Sequence, residues 1–232
     1  MKTYLSYDEI LPFLGNLSSE KYIDTTQLNR VDLEKLLSTS ILDVTNKARS
    51  DEIEKFLNPP SFVAIFYYYI YVFQKVPTQQ QYRDFYYEIN SEWIGQNVKE
   101  KLLPAFEGRV ARTYPSLFRD IHFYFFLKET GSFNRVIYKM KYDLSGKVDI
   151  FIQTKRNNWF GIQLRLDTKN SNYFAKERKP HRDVVDIPVL KAIIDLPLKL
   201  SNARSIKTQK NDLKVYSNNE YMELLNLIRK YE

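Results

Sequence analysis

Apolar positions recur along the chain with two different periods. In the first half the spacing is helical. "SYDEILPFLG" offers Ser6 as an N-cap, acids in the first turn and Gly15 as a stop. "NRVDLEKLLST" repeats Val31, Leu33, Leu36 and Leu37 on one face, and "ARSDEIEKFLNPP" predicts a further helix ended by its Pro pair. From Ser61 to Lys75 the chain is apolar nearly all round, the mark of a helix at the centre of a bundle. Pro77 and Thr78 then start another helix, with Tyr82, Phe85, Tyr86 and Ile89 on its apolar face. Tyr114-Pro115 opens the next, carrying Leu117, Phe118, Ile121, Tyr124 and Phe125, and Gly131 ends it.

After Gly131 the period shifts towards two. "NRVIYKMKYDL" alternates Val136, Tyr138, Met140 and Tyr142 against Arg135, Lys139 and Lys141, a half-buried strand with a basic outer face. "KVDIFIQT" and "WFGIQLRLDT" read as further strands joined by the hairpin-like "KRNN"; "SNYFAKERK" reads as a short basic helix. "AIIDLPLKL" and "DLKVYS" add strands, and Ser217 with Glu220 forms a capping-box pattern ahead of a final amphipathic helix. The expected layout is α+β: a helical domain over 1–108 and an α/β domain over 109–232, divided near Arg109.

Composition narrows the chemistry. With no Cys, disulfides, thiolate zinc sites and Cys nucleophiles are excluded; with only His122 and His181, so is a multi-histidine metal site. A net charge of +7 suits a polyanionic partner, because Lys and Arg bound to phosphates release condensed counterions. The most lipid-like run, "SFVAIFYYYIYVF", falls short of the ~20 residues that span a bilayer. No signal peptide is visible, so the expectation is a soluble, cytoplasmic protein without membrane contact.

Two of the apolar strands carry a polar residue at an odd place: Asp149 enters one, and Gln163 with Arg165 sits in the next. A helix followed by a strand hairpin with an Asp on one strand and a Q-x-R pair on the other resembles the PD-(D/E)XK nuclease superfamily, across the C-terminal half. The resemblance implies a restriction-endonuclease-like mixed sheet flanked by helices. It also implies a nucleic-acid phosphodiester hydrolase, DNA endonuclease-like, or a descendant of one, using Mg2+ or Mn2+. Asp149 and Gln163 would be metal ligands, with Asp120 as a further acid from the preceding helix and Glu129 second to it. Arg165 stands where the family has Lys, and Gln163 where it commonly has an acid. Arg cannot give up a proton, so Lys169, Lys176 and Lys179 are candidates to take over the lysine's part, Lys169 first.

Each polar residue also has a plain structural reading. Asp149 suits an acceptor of backbone hydrogen bonds at a turn, Gln163 a surface amide, and Asp120 a solvated helix residue. His122 suits packing on its helix. The basic runs "TKRNN" and "TKNSNYFAKERKPHR" place Lys155, Arg156, Lys176, Arg178, Lys179, His181 and Arg182 as candidate nucleic-acid contacts, and "NARSIKTQKNDLK" is a third such run. Two alternatives stand beside the nuclease. One is a non-catalytic DNA-binding regulator using the helix pair around Pro77 as a helix-turn-helix. The other is an interaction module whose aromatic helical half docks a protein partner or a second copy of the chain.

Overall fold

The structure, a computed structural model, describes residues 4–16, 28–43, 48–138, 148–168 and 189–232. It is mixed α+β, helical in its first half, and packing divides it into two units. Unit 1 comprises 1–118 with 207–213, and unit 2 comprises 119–206 with 214–232.

Unit 1 begins with α1 (Tyr7–Asn16) and α2 (Arg30–Ser38). Ser6 starts α1, its N–H and hydroxyl both bound to Glu9, and the Asn29 side chain accepts from Asp32 N at the start of α2. Of the apolar face expected on α2, Leu33 and Leu37 are buried, but Val31 is 67% exposed. "DEIEKF" forms one π-helical turn, Glu52–Phe56.

The run that is apolar all round becomes α3 (Phe62–Phe73), in which every residue from Ala64 to Ile70 is buried. Thr78 and Gln81 close a capping box on α4 (Gln79–Ile89), whose Tyr82, Phe85 and Tyr86 lie inside. The short α5 (Ser91–Asn97) follows. Buried rings then meet edge to face, Phe66 on Tyr82 and on Tyr114.

Pro115 does not open a helix. It lies inside α6, which runs unbroken from Leu103 to Glu129, and Gly131 follows its end with a left-handed φ of 63°. A proline inside a helix withholds the bond its N–H would give to the carbonyl four residues back, here that of Ala111. That carbonyl accepts instead from Nε2 of the buried Gln79, at 2.8 Å. Gln79 also binds Asp43 twice, giving Nε2 to its carbonyl and accepting its N–H. The helix tolerates Pro115 because a buried amide replaces the lost donor. The sequence division at Arg109 falls within α6, and packing divides the chain further along the same helix, at Phe118/Arg119.

Unit 2 holds a four-stranded sheet in the order β1-β2-β3-β4: β1 (Arg135–Ile137), β2 (Ile150–Gln153), β3 (Trp159–Leu166) and β4 (Leu190–Leu198). The first three strands are antiparallel neighbours, and β4 runs parallel to β3. "KRNN" makes the β2–β3 turn. Thr154 N donates to Asn158 O, and Asn157 takes a left-handed φ of 63°, which Asn tolerates. The strand expected to continue through Met140 and Tyr142, and the basic helix expected at "SNYFAKERK", lie outside the described residues.

The period-two pattern sorts β2, β3 and β4 into two faces. Ile150, Ile152, Phe160, Ile162, Ile194, Leu196 and Leu198 share one face and are all buried. A helix expected from Ser217 and Glu220, α7 (Asn218–Arg229), packs against β4, and its capping box is present. Phe123 and Phe126 of α6 meet the rings of Tyr216 and Tyr221. The opposite face carries Phe151, Gly161, Gln163, Arg165, Ile193 and Asp195. One end of it is apolar, where Val148 and Phe151 pack with Ile137, Trp159 and Leu190.

A second, two-stranded sheet pairs β5 (Arg204–Lys207) with the expected strand β6 (Asp212–Val215). The basic run "NARSIKTQKNDLK" is thus a hairpin. In its tip, grouped with unit 1, Gln209 donates to Ser40 O and Thr39 O.

Candidate functional site

Asp149 immediately precedes β2. Its N–H donates to Ile162 O at 2.9 Å, and its carboxylate accepts from Leu164 N. These two bonds tie Asp149 to the residues on either side of Gln163. On the far side of β3, the register pairs Gln163 with Asp195. Gln163 and Asp195 thus sit side by side on the outer face, and Asp149 stands just before β2. Arg165, two residues along β3, points the same way.

The carboxylate of Asp149 does what a strand cap does: it takes a backbone N–H where the ladder ends. The turn-acceptor reading of this residue thus has a named donor, Leu164 N. The bond to Leu164 also fixes the carboxylate beside Gln163.

Arg165 is held by Asp195, its Nε lying 2.7 and 2.8 Å from the two carboxylate oxygens. That bond raises the guanidinium above its ordinary pKa against the opposing effect of partial burial.

Asp120 projects from the middle of α6 into the charge environment of Tyr216. Burial pushes the Tyr216 phenol far above its ordinary value, and the carboxylates of Asp120 and Asp149 push it further. The charge of Arg119 and a bond to the Arg165 carbonyl oppose them. The hydroxyl lies 3.0 Å from Arg165 O and 3.3 Å from Leu196 O, bridging β3 and β4. Arg119 donates from Nε to Lys214 O, and burial lowers its pKa against the favourable charge of Asp120. The Tyr216 hydroxyl is thus tied to the two strands that carry Gln163, Arg165 and Asp195.

The other sequence candidates fall elsewhere. Glu129 is exposed in the last turn of α6, and His122 is fully buried within that helix. Lys155 and Arg156 occupy the β2–β3 turn, at the opposite end of the hairpin from Asp149. The four residues of β2 between them span ~13 Å. Arg156 lies 3.7 Å from the Glu232 carboxylate. Lys169, Lys176, Arg178, Lys179, His181 and Arg182 lie outside the described residues.

Asp195, Tyr216 and Arg119 have no place in the sequence reading. Asp195 carried the same signal as Asp149 and Gln163, a lone polar residue inside an apolar run ("AIIDLPL"), and only the register of β4 gives that signal meaning.

Asp149, Asp120 and the amide of Gln163 are hard oxygen donors, the chemistry that suits magnesium or manganese. Asp120 stands on α6, whose Phe123 meets Tyr216, and not on the outer face of the sheet. Among the described residues no three His, Asp or Glu side chains gather closely enough to hold an ion. No helix among them is long and apolar enough to cross a membrane. Comparison of the chain with protein-family models, with curated proteins and with solved structures finds no match.

Proposed function

We propose that unit 2 is a metal-dependent nucleic-acid phosphodiester hydrolase of the PD-(D/E)XK kind, with DNA as its substrate. The observation that carries this reading is that Asp149 is bonded to the residues on either side of Gln163, on the strand that also bears Arg165. Asp149, Gln163 and Asp120 are the residues that would hold Mg2+ or Mn2+. When bound, such an ion supplies positive charge to the phosphate and acidifies a water. Arg165 cannot exchange a proton, so its part is to bind and orient a phosphate oxygen. Lys169 follows β3 closely in sequence and is the first candidate for an ammonium at the site, with Lys176 and Lys179 behind it.

A second reading, a descendant that binds nucleic acid without cutting it, is favoured by one observation. The guanidinium that replaces the lysine is engaged by Asp195, and the neutral Gln163 removes a charge from the donor set. The helix-turn-helix alternative is weaker, since α4 carries one base, Arg83, beside the acids Asp84 and Glu88. The aromatic docking alternative finds its rings inside unit 1, where Phe66, Tyr67, Tyr82, Tyr86, Phe106 and Tyr114 are buried.

The test is incubation of the purified chain with single- and double-stranded DNA and RNA, with Mg2+, with Mn2+ and with chelator. Metal-dependent cleavage is expected, stronger with Mn2+, lost in Asp149→Ala with binding kept. Salt-sensitive binding without cleavage, even in Arg165→Lys, supports the binding-only reading. Neither binding nor cleavage of any form removes both.

A further inference from the structure

We infer that Asp195 is a positioning residue of the nucleic-acid site, one that holds the Arg165 guanidinium in place to receive a phosphate; this rests on the functional reading above. The face presents Arg165 in an unusual way. A long side chain on the outside of a sheet ordinarily samples many rotamers, and a phosphate that binds it must first immobilise it. Here both ends of the residue are fixed by distant parts of the chain. The side chain gives Nε to both oxygens of Asp195 on β4, at 2.7 and 2.8 Å. The backbone carbonyl lies 3.0 Å from the hydroxyl of Tyr216, beyond the end of β6. Both bonds to Asp195 run through Nε.

The register explains why the anchor sits where it does. Asp195 is the partner of Gln163, so it approaches Arg165 from the neighbouring strand and holds it close to Gln163. The pair is not wholly at the surface: the Arg165 side chain is 20% exposed and that of Asp195 47%. A fixed cation on this face compensates in part for what the Lys-to-Arg change costs. An ammonium is a mobile point charge, whereas a guanidinium is a rigid fork that works only when aimed.

The plain alternative is an ion pair that steadies the sheet face and cancels its own charge. The two accounts differ in sign. If Asp195 only offsets Arg165, removing its carboxylate raises the local positive charge and tightens binding to a polyanion. If it aims Arg165, removing it weakens binding although the protein becomes more basic.

The experiment is a fluorescence-anisotropy titration of the full chain with a short DNA duplex at several salt concentrations. It compares wild type, Asp195→Asn, Asp195→Ala, Asp195→Glu, Arg165→Ala and the double variant Asp195→Ala/Arg165→Ala. Thermal melting of each variant establishes that it is folded, and Asp195→Asn keeps the shape of the side chain where Ala does not. Asp195→Asn and Asp195→Ala are expected to weaken binding roughly tenfold and to reduce the salt slope by about one, as loss of one phosphate contact does. Asp195→Glu should keep most of the affinity, and Asp195→Ala should weaken nothing further once Arg165 is Ala. Wild-type binding with Asp195→Asn equal or tighter overturns this role alone. A wild type that binds no duplex even at low salt overturns the functional reading together with it.

Discussion

Unit 1 and the outer face of the unit 2 sheet both place polar groups among apolar ones, but they satisfy them differently. Inside unit 1 the partners are backbone carbonyls. Tyr86 donates to Pro60 O, Tyr114 to Pro77 O and Tyr82 to Phe62 O, while Gln79 serves Ala111 and Asp43. The bond to Ala111 O stands in for the N–H that Pro115 lacks, and the tyrosine bonds satisfy buried hydroxyls without adding charge. On the sheet face Arg165 is held by another charged side chain, Asp195, beside Asp149 and Gln163. A polar residue whose partner is backbone is part of the scaffold. Charged pairs form a second class, which unit 1 also has in Arg112 with Glu54 and Arg83 with Glu107. On the sheet face such a pair stands beside Gln163. The Asp149 carboxylate takes a backbone N–H, that of Leu164, next to Gln163 in the chain.

The largest expected effect is in the core of unit 1. Phe66→Ala, at a fully buried position in contact with the rings of Tyr82 and Tyr114, should cost about 3–5 kcal/mol, read from urea unfolding. Next is the amide that services the proline. Gln79→Leu leaves the Ala111 and Asp43 carbonyls without that donor and should cost about 2–3 kcal/mol. In that background Pro115→Ala, which returns an N–H to Ala111 O, should recover part of the loss. Additive costs in this double-variant cycle would show that the two residues are not coupled through that carbonyl.

Alkaline pH gives a third contrast. Burial holds the Tyr124 phenol up to about 12, and burial with the nearby Glu107 charge holds that of Tyr87 up to about 12, both above the ordinary value of 10.0. A raised folded value means that the unfolded chain releases these protons first. Stability is therefore full below pH 10 and falls as pH rises towards 12. Phenolate absorbance should lag behind that of the denatured chain until unfolding sets in; coincident titration of the two would contradict the burial assigned here.

The smallest effect concerns Asp149 as scaffold. Asp149→Ala removes one acceptor from Leu164 N and should cost only about 1 kcal/mol, while its expected effect on cleavage is total. Equal losses in the two measurements would make Asp149 a strand cap and no more.

Much of this was legible in the sequence where period and caps speak directly. The central helix at Phe62–Phe73, the Thr78 capping box, the "KRNN" hairpin and the Ser217 cap all follow from local pattern. Adjacency of the Asp149 and Gln163 segments followed from the same hairpin. What was not legible depends on distant partners. Pro115 reads as a helix start until Gln79, far away in sequence, is seen to serve the carbonyl it orphans. The strand β5 is masked by its basic composition, because pairing rather than propensity makes it a strand. Asp195 gains its place only through a parallel register with β3, which no local spacing encodes.

The central claim is that nucleic acid meets the outer face of the unit 2 sheet. Its most direct measurement is the change in backbone amide NMR signals as a short DNA duplex is added to the labelled full chain at low salt. The expected shifts concentrate at Asp149, Gln163, Leu164, Arg165 and Asp195. Shifts concentrated instead on α4, from Gln79 to Ile89, with that face unmoved, would contradict the claim and return the helix pair to first place.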